Sequence, residues 1–206
     1  NFLGRGETLS MSVLAGKRYR DYQVSFTEPY LFDRPITGGI NVFNRQIRYI
    51  GAFTQNTTGG NVMMGFPVAG FARLFTSYSY ERVGISELDP AYNDPAIIGR
   101  NPFLADALLL NTTGQKRTIS KVSPSLVYNT IDNPIFPSSG KRYTLAFDLA
   151  GLGGNTSYYK PTMEGIWYFQ HTRRTSIGGR AQFQFVAPYR GTTILPIFER
   201  LVLGGE

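Results

Sequence analysis

Apolar and polar side chains alternate along this chain with a period of two. Between Tyr22 and Thr27, Tyr22, Val24 and Phe26 fall on one side while Gln23, Ser25 and Thr27 fall on the other, which is the pattern of an extended strand whose successive Cβ atoms point to opposite faces. In the same way Tyr143, Leu145, Phe147 and Leu149 oppose Thr144, Ala146, Asp148 and Ala150. Met163, Gly165, Trp167 and Phe169 oppose Thr162, Glu164 and Gln170, and Ile177, Ala181, Phe183 and Phe185 oppose Arg180, Gln182 and Gln184. Weaker alternation covers 8–16, 36–48, 58–66, 71–85 and 118–131, so the pattern predicts nine strands. Most can be drawn at about ten residues or more, whereas strands of soluble proteins cluster near about 5 to 6. A strand that crosses a bilayer at a steep tilt needs about 9 to 11.

The connections alternate in character as well. Asp33, Arg34 and Pro35, residues 67–70 and residues 171–174 form one tight set, while 50–56, 152–155 and above all 86–116 form a looser one. Successive hairpin connections lie at opposite ends of an antiparallel meander, so short ends on one side and long ends on the other match the periplasmic turns and extracellular loops of outer-membrane barrels. The connection over 133–141 is the exception on the tight side. Five Gly-Gly pairs permit the bends and close approaches of a curved sheet. Periodicity alone leaves open which face is wet, because a soluble sandwich turns its apolar face inward and a membrane barrel turns it outward. Strand length, loop asymmetry and aromatic content favour the barrel.

Composition removes other classes. With 42% hydrophobic, 14% aromatic and only 17% charged residues among 206, the chain is the opposite of a disordered one. It has no cysteine, which excludes disulfides, thiolate metal sites and thiol nucleophiles. No run of about 18 apolar residues exists, so no transmembrane helix is expected. The opening Asn-Phe-Leu-Gly carries neither initiator Met nor leader pattern, so either a signal peptide has been removed or this is an internal piece, and a fragment of a longer protein is the expectation.

The net charge of +7 is scattered, with Lys17, Arg18 and Arg20 in one connection, Lys116, Arg117 and Lys121 in another and Arg173 and Arg174 in a third. That spread argues against nucleic acid and toward lipopolysaccharide phosphates or an anionic leaflet. The sole histidine, His171, falls in a tight basic turn and makes neither a catalytic triad nor a zinc site. No acidic cluster has the loop spacing of a hard-metal site, so no metal, cofactor or enzymatic activity is expected. Asp148, Glu164 and Arg180 fall on the polar faces of three consecutive strands, with Glu164 read as almost opposite Arg180 and Asp148 as diagonal to Glu164. Two carboxylates could serve as acid and base, but a ladder of ion pairs lining a wet lumen is the reading adopted, and Arg45 is read as pointing inward in the same way. Asn56, Asn111 and Asn155 head Asn-X-Ser/Thr triplets that read as polar loop residues, and the apolar run 105–110 reads as a short loop helix over a barrel mouth or as a capping turn.

At Phe26-Thr-Glu-Pro-Tyr-Leu-Phe-Asp-Arg-Pro35 the chain resembles the barrel domain of the BamA family of outer-membrane protein assembly factors. Asn1-Phe-Leu-Gly-Arg-Gly6 is similar to that family's Asn-aromatic-Leu-Gly-X-Gly turn, and Tyr128-Asn-Thr-Ile-Asp-Asn-Pro-Ile-Phe-Pro-Ser-Ser-Gly140 to its Asp, Phe-Pro and Gly hairpin. Asp148-Leu-Ala-Gly-Leu-Gly-Gly154 resembles a further segment of many members, and Pro196-Ile-Phe-Glu-Arg-Leu-Val-Leu-Gly-Gly205 the run leading into their long sixth extracellular loop. The motif positions so marked are Gly4, Gly6, Pro29, Tyr30, Asp33, Pro35, Asp132, Pro134, Pro137, Gly140, Gly204 and Gly205, all structural. Asp132 and Pro134 start a turn, Pro137 fixes φ and Gly140 supplies a positive φ.

The resemblance implies an all-β fold, an antiparallel meander forming part of a transmembrane barrel of about sixteen strands. Residues 1–206 would form one partial barrel domain, with periplasmic repeats and terminal strands outside it. It implies a bacterial outer-membrane location and insertion of other β-barrel proteins by parting a seam that these residues do not contain. The implied partners are outer-membrane lipid and lipopolysaccharide, nascent outer-membrane β-barrel proteins, and accessory lipoproteins bound through the periplasmic repeats. The alternatives are a translocator for a secreted partner, a passive porin-like channel, or a hydrolase whose catalytic domain precedes the barrel.

Overall fold

A computed structural model describes residues 6–51, 53–90, 94, 110, 113–172, 175–192, 195 and 199. Its strands are β1 (Thr8–Ala15), β2 (Tyr19–Glu28), β3 (Thr37–Tyr49), β4 (Phe53–Ala69), β5 (Ala72–Ser86), β6 (Arg117–Asn129), β7 (Gly140–Ala150), β8 (Tyr158–Thr172), β9 (Thr175–Gln184) and the two-residue β10 (Ala187–Pro188). Each strand pairs antiparallel with the next from β1 to β8, and both β9 and β10 pair with β8. Among the described residues the sheet is one continuous, unclosed meander.

Strand formation follows the alternation. Phe66, Leu74, Leu126, Leu145, Met163 and Phe183 stand opposite one another across six strands. This apolar row lies outside the sheet, with Met163 at 55% and Phe183 at 64% exposure. Neighbouring positions carry Ser77 opposite Ser123 and Asp148 opposite Lys160 on the other face. Phe147 is exposed with them, and among the described residues Phe53 and Tyr158 are the only aromatic side chains buried. Phe71, Tyr128, Tyr143 and Trp167 form a chain of ring contacts at 6.0 to 6.4 Å near the short-turn end, and the Trp167 indole N–H donates to the Tyr143 hydroxyl at 3.1 Å. Such rings suit the boundary between lipid and water.

Two features depart from the sequence reading. β4 begins at Phe53, so most of the expected loop 50–56 is strand. The inward face is also not uniformly polar. Val83, Ile119, Ala150 and Tyr158 form a buried cluster with Leu195, which lies beyond β10 in the chain and shields that face from water.

Two prolines interrupt the ladders. β6 and β7 pair from Lys121 to Val122 and again from Ser125, skipping the two positions around Pro124 without change of register. β10 continues β9 in the same register against β8, with the break lying across from Pro161. Proline has no N–H to donate. Since Pro161 is opposite Phe147 on β7 and the β6 register also places Pro124 opposite Phe147, the three residues form one row.

Candidate functional site in the turns and lumen

At the short-turn end, Gly6 adopts φ +97°, and a Cβ there would stand 3.2 Å from the Pro29 ring. Gly6, the last residue of one family-like motif, therefore packs on Pro29 of the other. The turn between β2 and β3 is a kinked 3-10 turn over Leu31–Asp33, with Phe32 and Asp33 left-handed at φ 57° and φ 56°. The Tyr30 N–H donates to the Glu28 carboxylate at 3.0 Å, and the Leu31 N–H donates to the Ile36 carbonyl at 2.8 Å, across Pro35.

The turn between β6 and β7 is organised by Asp132. Its carboxylate accepts the backbone N–H groups of Asn133, Ser138 and Ser139 at 2.9, 3.0 and 3.2 Å and the hydroxyls of Ser138 and Ser139. These donors, the Ser138 hydroxyl foremost, hold the carboxyl well below the usual carboxylate range. Pro134 lies within the loop so closed. The Pro137 carbonyl accepts the Ser176 hydroxyl at 2.8 Å and ties the turn to β9. Gly140 has φ +111°, and a Cβ there would overlap the Thr130 carbonyl.

On the inward face Arg180 binds Glu164 through Nε and Nη2 at 2.6 and 2.5 Å. The register sets Glu164 opposite Gln182 and Arg180 opposite Ile166, so the pair is diagonal, and Gln182 accepts a further hydrogen bond from Arg180 at 3.2 Å. Asp148 does not join them. It lies opposite Lys160, 3.7 Å from its Nζ and 3.9 Å from that of Lys121. Lys160 also reaches Glu199 at 3.2 Å, which extends the network from β6 through β8 to the stretch after β10. Arg45 points inward and stands 3.4 Å from Asp21.

Lys121, Lys160, Glu199 and Asp21 were missed as a set by the sequence reading. Lys121 and Lys160 share the inward parity of Asp148, a usable signal, but Glu199 is brought in by the chain's return and has none. Each carboxylate here faces a cation, which suits a hydrated, ion-paired wall. Gly4, Gly204, Gly205 and residues 105–109 lie outside the described residues. His171 lies within β8 and is exposed, rather than in the hairpin turn. Among the described residues no group of three metal-ligating side chains occurs.

Membrane-length strands joined edge to edge, apolar outside and ion-paired inside, define the wall of an outer-membrane β-barrel. The Omp85 superfamily domain matches residues 1–206, and the chain belongs to that superfamily. It is 21% identical over 212 aligned positions to the outer membrane protein assembly factor BamA of Neisseria meningitidis serogroup B, covering 100% of this chain and 26% of that protein. It is 24% identical over 162 positions to BamA of Neorickettsia risticii, covering 78% of this chain and 20% of that protein. In fold it resembles the crystal structure of BamA from Haemophilus ducreyi lacking POTRA domains 1-3, with a TM-score of 0.79, 17% identity and coverage of 100% of this chain and 40% of that one. The chain thus spans about a quarter or less of the curated relatives, and the family likeness read from its turns is borne out.

Proposed function

We propose that residues 1–206 are one section of a barrel that assembles and inserts β-barrel proteins into the bacterial outer membrane. The observation that supports this reading is the likeness to BamA along the whole chain, in sequence and in fold. In this reading the section supplies wall, lumen and turns of a barrel of about sixteen strands. The working seam lies between strands outside these residues and offers unpaired main-chain groups to a client hairpin. Such chemistry needs no catalytic side chain and no cofactor. Clients are nascent outer-membrane barrels, lipopolysaccharide and outer-membrane lipid surround the wall, and periplasmic repeats elsewhere in the full protein bind accessory lipoproteins. The Gly6–Pro29 contact, the Asp132 turn and the lumen pairs are structural supports.

Depletion of the full-length protein in its host tests this. Loss of many unrelated outer-membrane barrels, with their precursors accumulating in the periplasm, is the expected result. Loss of a single secreted protein would replace this reading with a translocator, and solute-selective conductance with other barrels unaffected would replace it with a channel.

A further inference from the structure

Rows of paired residues measure height on the outward face. Phe26, Ile40, Val62 and Tyr78 form one row, and Val24, Val42, Gly60 and Tyr80 form the next toward the long-loop end. The row above is Tyr22, Asn44, Thr58 and Arg82, where the Asn44 amide donates to the Thr58 hydroxyl at 2.7 Å. The apolar belt stops at this row.

Immediately above it lies a cavity of about 160 Å³ whose walls include Lys17, Arg18, Arg20, Arg48, Thr54 and Glu87. The strands bring these side chains together through register. Arg20 is opposite Gln46 and Arg48 opposite Thr54, while the Arg48 N–H donates to the Arg18 carbonyl at 2.8 Å. Four cations meet one carboxylate. That carboxylate, Glu87, is engaged by the Thr54 hydroxyl at 2.7 Å and by Arg48 Nε at 3.9 Å. Among the described residues no ion pair holds Lys17, Arg18 or Arg20. Uncompensated like charges on adjacent strands repel, and an entering anion relieves the repulsion. Guanidinium forks match the oxygens of a phosphate.

We propose that this cavity binds the phosphate of a phosphorylated lipid in the outer leaflet, with the lipid's acyl chains lying along Tyr22, Val24 and Val42. The position selects lipid over free phosphate, because the cations open at the upper rim of the lipid-facing surface, at head-group height. The inference rests on the reading of this chain as an outer-membrane wall with its short turns in the periplasm.

The test uses the full-length protein in nanodiscs, with bound lipid counted by native mass spectrometry. The probes are bisphosphorylated lipid A, the same lipid with both phosphates removed, and inorganic phosphate. The wild type should bind the phosphorylated lipid at least tenfold more tightly than the dephosphorylated one. Combined Arg18→Gln, Arg20→Gln and Arg48→Gln substitution should erase that preference and leave the dephosphorylated lipid unaffected. A milder variant, Lys17→Gln with Arg20→Gln, guards against misfolding and should lose part of the preference, whereas Arg34→Gln at the opposite end should keep all of it. Equal binding of both lipids by the wild type, an undiminished preference in the variants, or displacement by inorganic phosphate alone with no gain from the lipid would each overturn the proposal. Ile50→Cys, exposed in the β3–β4 connection at the same end and outside the cavity, labelled on intact cells by an impermeant maleimide checks the orientation separately. Labelling combined with absent lipid preference removes the site and spares the orientation, and protection of the cysteine from label removes both.

Discussion

Single residues in the turns carry constraints out of proportion to their size. Gly140 combines a left-handed backbone with the closeness of the Thr130 carbonyl, so any side chain there is strained twice. Gly140→Ala should destabilise the folded full-length protein by about 1–3 kcal/mol, read as a lowered urea midpoint in lipid vesicles. An unchanged midpoint would show that the turn relaxes freely. These positions were legible in the sequence because turn chemistry is local: Asp132, Pro137 and Gly140 announce themselves through the φ values and donors that neighbouring residues require. Glu199 announces nothing, since its partner Lys160 is 39 residues away and only the return of the chain onto the inward face joins them.

Elements were legible where exactly one face meets lipid. The lower part of β4 reads clearly, but Thr54, Gln55, Asn56 and Thr57 are all polar, because there the ribbon rises above the apolar belt and its side chains meet polar partners, Glu87 for Thr54 and Ser86 for Asn56, in place of lipid. Alternation vanishes and the segment reads as loop. Register suffered for a related reason. Counting back from the expected turns places Glu164 almost opposite Arg180, while the observed pairing offsets them by two residues along each strand, a difference that long side chains bridge. At this scale the outward row makes its own demand. Leu145→Arg should cost about 2–4 kcal/mol in the folded full-length protein, as charges do on the lipid face near mid-bilayer, whereas Ser123→Arg on the inward face should cost markedly less. Equal penalties in vesicle unfolding titrations would contradict the assignment of the faces.

Taken whole, the wall is a sheet whose adjoining strands are paired nearly throughout, and the row Pro124, Phe147 and Pro161 is its exception. The two prolines withhold donors at one level on two ladders, β6–β7 and β8–β9, with the β7–β8 ladder between them unbroken, and hydrocarbon offers no replacement. Pro124→Val should return a donor to Phe147, giving a protected amide at position 124 and about 0.5–1.5 kcal/mol of added stability. Rapid amide exchange at that position would show that the gap has another origin. Two withheld bonds at one level, one on either side of an unbroken ladder, make a crease. Under bending stress from a neighbouring barrel or an uneven bilayer, curvature will concentrate along it, and the panels on either side will tilt as plates while their ion-paired interior stays intact.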